Sequence, residues 1–193
     1  RQRPFWPALA ARWEGVVHSL LERSSVDLVI LPQAPGEAEV RARGRGSAQV
    51  AGDGGGYSYR PIDGDPLGIG EGEGAGGREA YEVTIDTDYP DALVQIAHLA
   101  SSPRSGDVLL SAARGWDFRE RYEPIPHRSA HGALHRDHML APLVVNHPVA
   151  QPPRRTVDVM PSALAALGVR IPDGLDGESF VADAAALALS TAG

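Results

Sequence analysis

A chain of 193 residues that is 42% hydrophobic carries enough apolar surface to bury a full core, or a core with an attached lobe, which excludes a disordered tail. The net charge is −7, and the 18 basic residues are all arginine, dispersed except for Arg41, Arg43 and Arg45; this excludes the basic face that nucleic acid requires. Cysteine is absent, so no disulfide or thiolate site is possible, and no run approaches the roughly 18 apolar residues of a membrane span.

Glycine (22) and proline (16) together make about a fifth of the chain, well above the usual share, and predict long loops between few regular elements. No signal peptide is read at the N-terminus, yet the opening "RQRPFW" has no Met, and an upstream region is expected.

In "WPALAARWEGVVHSLLERSS", Trp6, Leu9, Trp13, Val16, Val17, Leu20 and Leu21 recur at spacings of three and four, which predicts an amphipathic helix. "VDLVIL", from Val26 to Leu31, is short and β-branched and is closed by Pro32, the pattern of a buried strand. "AEVRARGRGSAQV" alternates around a turn at Gly44 to Gly46 and predicts an exposed hairpin whose arginines face water. Residues 51–78 read mostly as loop. Within them Gly72, Gly74 and Gly77 have the spacing of a dinucleotide-binding fingerprint, but nothing strand-like precedes them, and Glu71 and Glu73 would repel a pyrophosphate. The segment is therefore read as a flexible excursion.

"DTDYPDALVQIAHLASSP" has helix-start chemistry in Asp88, Pro90 and Asp91, an apolar face of Leu93, Ile96, Ala97 and Ala100, and a stop at Ser101 to Pro103. His98 on this helix is expected to be packed or half-exposed. A buried strand follows from Asp107 to Ala113, then a loop holding Trp116 and Phe118. Helix followed closely by strand, here and at the N-terminus, is the texture of an α/β layer fold. "MLAPLVV" reads as another buried strand. "RRTVDVMPSALAALGV" predicts a helix starting at Thr156, tolerating Pro161 early, with an apolar face of Val157, Met160, Leu164 and Leu167 and a stop at Gly168. "IPDGLDGESF" is rich in turns, and residues 181–189 predict one more helix.

Between the last two strands lies "PHRSAHGALHRDHMLAPLVV", with His127, His131, His135 and His138 inside twelve positions. Neutral imidazole is a common metal ligand and titrates near neutrality, so a cluster points to metal or proton chemistry. The first three histidines are four apart, but Pro126 and Gly132 argue against a helix that would align them. In an extended segment neighbours point different ways, and one ligand with surface neighbours is the economical reading.

The order of "HG" at His131–Gly132, a short polar stretch with an acidic residue, "PLVV", "RRTVDVMPSALAALGV" and "IPDGLDGESF" resembles the C-terminal part of the alkaline phosphatase superfamily, in its type I phosphodiesterase and nucleotide pyrophosphatase branch. The match is best from Ser105 to Phe180. The resemblance implies an α/β fold, a sandwich of helices around a mostly parallel sheet, of which only the C-terminal part is present. It implies two zinc ions at the carboxyl ends of the strands, a Thr or Ser nucleophile and a phosphate ester substrate. It also implies that His131 is a metal ligand, with Gly132 letting the backbone turn and leaving room for a metal-bound phosphate. His127, His135 and His138 are then surface or supporting groups, and Asp137 packs against or orients the loop. Residues 1–80 are expected to form an accessory lobe of helix, strand, hairpin and glycine-rich loop, and residues 81–193 the C-terminal part of the phosphatase-like domain.

The family's Asp-His-Gly motif has no counterpart, since Asp137-His138 is followed by Met139. The chain is therefore expected to be the C-terminal portion of a longer phosphomonoesterase or phosphodiesterase, lacking the nucleophile and inactive by itself. Two alternatives remain: a sulfatase-like fragment, although sulfatases place Lys where this chain has His-Gly, and a non-catalytic module that uses its histidines to bind zinc or a partner.

Overall fold

The computed structural model describes residues 4–53, 55–74, 76–118, 132–152 and 155–182. The chain divides into two compact units, Arg1–Ala141 and Pro142–Gly193.

In the first unit β1 (Val26–Ala34), β2 (Glu37–Ala42), β3 (Gly46–Gly52), β4 (Tyr57–Gly64), β5 (Gly72–Gly74) and β6 (Leu109–Ala112) form one sheet in the order β5-β4-β3-β2-β1-β6. Every pairing is antiparallel. This overturns the expected mostly parallel, alkaline-phosphatase-like sheet, and the reason lies in the connections. Only Pro35 and Gly36 join β1 to β2, and residues 43–45 join β2 to β3. A parallel neighbour needs a crossover of about a dozen residues or more, so such links dictate hairpins. The one long connection, from β5 to β6, carries two helices, yet β6 lands beside β1 and runs antiparallel to it. Because β1 pairs with β6, the sheet joins strands from before and after α2 (Gly77–Thr84).

Strand β1 is buried on both faces, which is why Leu28 to Leu31 read as an unbroken apolar run. Leu28 and Ile30 join Ala38, Val40, Ala48, Val50, Tyr57 and Tyr59 in the main core beneath α3 (Ala92–Ser101). Val29 and Leu31 turn the other way and pack with Trp6 and Val17 of α1 (Trp6–Leu21). Helix α3 starts where the sequence places it and buries Leu93, Ile96, Ala97 and Ala100; each larger side chain contributes about 1.5–3 kcal/mol relative to exposure. His98 is exposed at its far end and meets the Tyr57 hydroxyl at 3.2 Å.

Residues 51–78 are far more ordered than a flexible excursion. Tyr57 and Tyr59 alternate inward on β4, and Pro61 is accommodated where the β3–β4 register shifts between Ser47 and Ala48, because a bulge spares the missing amide a ladder bond. Beyond β4, the Asp65 carboxylate accepts hydrogen bonds from the Tyr59 hydroxyl at 2.5 Å and from the amides of Gly68 and Gly70 at 2.8 and 2.7 Å. The Leu67 amide in turn donates to the Tyr59 oxygen at 3.2 Å, and Leu67 is buried. After β5, α2 (Gly77–Thr84) packs so closely that a Cβ on Gly74 would lie 2.6 Å from the Ala80 nitrogen.

In the second unit residues 142–145 form no strand, contrary to expectation, and Val144 is 94% exposed. A 3-10 turn, Thr156–Asp158, leads into α5 (Val159–Ala166). The face that α5 buries is Pro161, Ser162 and Ala165, against Phe180 and Val181. The expected face is outward: Met160 is 55% and Leu167 76% exposed. Polar bonds described below decide this rotation. The helix expected at residues 181–189 falls largely outside the described residues; Val181 itself bridges to Val149.

Burial pushes the Asp65 carboxyl up, but the Tyr59 hydroxyl and the Gly70 and Gly68 amides outweigh it and hold it below the ordinary value. A carboxylate depressed in the folded state stabilises above its unfolded pKa, near 4, and that contribution is lost as pH falls through the folded value. Asp65→Asn should therefore cost about 1 kcal/mol at pH 7, and the gap between variant and wild type should close below about pH 4 in thermal melts across a pH series.

Candidate functional site

Three side chains from remote parts of the first unit meet at one carboxylate, that of Asp27. Asp27 interrupts the apolar run of β1, where the β1–β6 register shifts between Val26 and Leu28; its side chain is only 13% exposed. Arg45, from the β2–β3 turn, places NH2 2.5 Å from Asp27 Oδ1, donates through NH1 to the Pro66 carbonyl at 2.7 Å, and donates to the Tyr89 hydroxyl at 2.6 Å. Tyr89, between α2 and α3, donates its hydroxyl to Asp27 Oδ2 at 2.8 Å. His135 places Nε2 3.2 Å from the same Oδ2 and stacks on the Tyr89 ring at 5.2 Å between centroids.

Burial works against the Arg45 charge, but Tyr89 and Asp27 outweigh it and raise its pKa. Burial pushes the Tyr89 phenol up to about 12, with Arg45 pulling down and Asp27 pushing up; it stays protonated and donates at neutral pH. The His135 side chain is 9% exposed, and its buried Nδ1 has no hydrogen-bond partner among the described residues. An orphaned buried nitrogen costs about 1–3 kcal/mol, so the position is not explained by stability alone.

The same cluster anchors the histidine segment. The Leu134 amide donates to Ser111 Oγ on β6 at 3.2 Å, and the Arg136 amide to the Asp88 carbonyl at 2.8 Å. The Arg136 guanidinium reaches the carbonyls of Ile85 and Thr87. His135 then opens a short helix, α4 (Arg136–Met139). The Ala133 amide donates to His138 Nδ1 at 3.0 Å, and a Cβ on Gly132 would lie 3.1 Å from that of His138. Asp137 pairs with Arg114 at 3.3 Å on the exposed surface, where such a pair contributes little.

Of the residues singled out in sequence, His131 and His127 lie outside the described residues. His135 is buried in the cluster, and His138 braces the backbone that follows Gly132. Asp27, Arg45 and Tyr89 were missed, although one signal was available: a single acid within "VDLVIL" is a charge that burial forces to find partners. Of the hairpin arginines Arg43 is exposed as expected, while Arg41 and Arg45 are half-buried. Arg41 pairs with Glu39 and Glu14, Arg43 donates to the Glu22 carbonyl, and Arg45 turns inward.

The motifs of the second unit turn out to be one lock. Asp158 Oδ2 accepts the Arg155 amide at 2.9 Å and Oδ1 the Glu178 amide at 3.0 Å. Ser162 Oγ donates to the Asp158 carbonyl at 2.6 Å and accepts the Phe180 amide at 2.9 Å. A Cβ on Gly177 would meet the Val157 carbonyl oxygen at 2.2 Å, so only glycine passes there. The "TVDVMPS" and "DGESF" pieces therefore occur together because one holds the other.

Among the described residues no group of three or more His, Cys, Asp or Glu side chains is placed to hold a metal ion, and no helix is long and apolar enough to cross a membrane. Comparisons with protein-family models, with curated proteins and with solved structures gave no match.

Gly72, Gly74 and Gly77 do sit at a strand and a helix start, unlike the expectation, yet β5 is a three-residue edge strand. The open cavity beside it is lined by Glu37, Asp53, Glu73 and Glu79, carboxylates that repel a pyrophosphate. Titration with NAD or ATP should leave amide NMR shifts of residues 70–80 unchanged; saturable shifts there would show that a phosphate site exists despite the acids.

Proposed function

We propose that this chain is the C-terminal portion of a metal-dependent phosphoric ester hydrolase similar to the type I phosphodiesterase and nucleotide pyrophosphatase group, and that His131 supplies one ligand to a zinc centre. The carrying observation is the anchorage of the residues that follow His131–Gly132. A ligand-bearing loop has to be held by bonds outside the ligand set, and Leu134, Arg136 and His135 are bonded to β6, to the loop before α3 and to Asp27 respectively. The antiparallel sheet of the first unit is not the mostly parallel sheet of that group and lends the reading no support.

The donor chemistry fits zinc: imidazole is a standard ligand, and the glycine after it leaves room for a bound oxygen. When bound, the metal supplies a charge that holds phosphoryl oxygens and activates the nucleophile. This chain's own share is to present His131 and to fix the backbone beyond it. Support also comes from the second unit, where the Asp158 and Ser162 lock gives two of the resembling motifs a shared physical reason.

The 193-residue chain alone should not hydrolyse p-nitrophenyl phosphate or its bis-ester above a metal-only control, because no activated nucleophile is identified in it. In the longer enzyme, His131→Ala should lower bound zinc and cost at least about a thousandfold in turnover. His127→Ala and His138→Ala should cost at most roughly ten- to a hundredfold. Zinc content by mass spectrometry and turnover on a phosphate ester measure both. Zinc-dependent turnover by the chain alone, or tight zinc binding by it alone, would replace this reading with a self-sufficient enzyme or a zinc-binding module.

A further inference from the structure

We infer that the outer edge of β6, with the flank of α1 beside it, is the surface through which two copies of this chain pair, β6 antiparallel to its own copy; this does not depend on the hydrolase reading above. The two edges of the sheet are built differently. At one end β5 is three residues long, carries Glu73 and lies against α2, where a Cβ on Gly74 would meet the Ala80 nitrogen at 2.6 Å. A charge and a covering helix are devices that keep an edge from pairing. At the other end β6 reads Leu-Leu-Ser-Ala, with no charge, proline or glycine. Among the described residues no backbone bond reaches it apart from its pairing with β1.

The side chains beside that edge are apolar and share a face. Leu110 pairs with Val29, which packs beneath α1, so Leu110 lies on the α1 face, where it is 36% exposed. On α1 the Glu14 carboxylate meets Arg41 of β2, which marks the flank turned to the inner strands. At about 100° per residue, Trp13 and Val16 fall on the opposite flank of the buried Trp6 and Val17 stripe, toward β6, and they are 42% and 48% exposed.

A strand edge presents a row of amides and carbonyls that another extended strand satisfies. A second copy supplies that strand in β6 itself. The two-fold axis of an antiparallel pair stands perpendicular to the sheet, so both α1 helices lie on one side of it. Because α1 packs on β1, the two helices then stand about 14 Å apart, three strand spacings, wider than the roughly 8–10 Å of direct helix packing. Trp13, Val16 and Leu110 of both copies fill that gap. These three residues leave on the order of 200–300 Å² of side chain open on each copy, which places the dimer at the small, weak end of specific interfaces.

Sedimentation velocity of the 193-residue chain over a concentration series tests the pairing. The 20.4 kDa monomer should give way to a species of twice the mass, with a dissociation constant of roughly 10–500 μM. Amides of residues 109–112 should exchange hydrogen at least about fivefold more slowly at the dimeric end of the series, while those of residues 72–74 stay unchanged. Trp13→Glu, Val16→Glu and Leu110→Lys should each weaken association at least about tenfold. If Leu110→Lys fails to fold, the two substitutions on the exposed flank of α1 give the same reading. A chain still monomeric at about 1 mM, a dimer that these variants leave intact, assemblies larger than a dimer, or protection that spares β6 overturns the inference.

Discussion

Strand β1 has to be covered on both faces, and the architecture of the first unit follows from that constraint. Leu28 and Ile30 demand a layer on one side, supplied by α3, while Val29 and Leu31 demand one on the other, supplied by α1. The alternation of strands β2 to β4 is simpler, with Ala38, Val40, Ala48 and Val50 inward and charged or polar side chains opposite. Among the described residues, only β1 and its immediate surroundings form a three-layer structure, and the outer strands are two-layered. That is why a single strand from the middle of the sheet reads like a parallel α/β strand although all its neighbours are antiparallel.

Within this doubly buried strand Asp27 is the exception, and its presence organises polar groups rather than apolar ones. A charge cannot be left unpaired there, so the turn bearing Arg45, the loop bearing Tyr89 and the histidine segment are all drawn to the same end of β1. The consequence is that residues far apart in sequence share one environment. Substituting any of them strands the others, which makes the cluster costly to dismantle piece by piece.

The second unit is built on a different economy. Its apolar cluster is small, Ala165, Phe180 and Val181 with Val145 and Ile171 beside them, and its geometry comes from polar bonds centred on Asp158 and Ser162. These bonds rotate α5 so that a short polar side chain and Pro161 face inward. The larger apolar residues are left outside, Met160 and Leu167 among them. Hydrophobic periodicity located this helix but named the wrong face, because one serine bonding a neighbouring turn outweighed the stripe.

Much of this was legible in the residues themselves. Local period and capping chemistry located α1, β1, the β2–β3 hairpin, α3, β6 and α5, since each depends on neighbours within a few positions. Strand β4 was missed because Pro61 hides it, and the bulge beside that proline, at Ile62 of β4 itself, shows only in the pairing with β3. The layer order was misjudged because helix-then-strand spacing does not say which edge a strand joins; β6 crosses to β1 and reverses the expected direction. Asp27 was visible as an oddity, yet Arg45, Tyr89 and His135 could be assembled around it only by the folded chain. The sequence by itself determined where α1, β1, the β2–β3 hairpin and α3 lie, because their signals are local. Tertiary structure alone decided which distant polar groups share a carboxylate, because burial compels a charge to find partners without naming them.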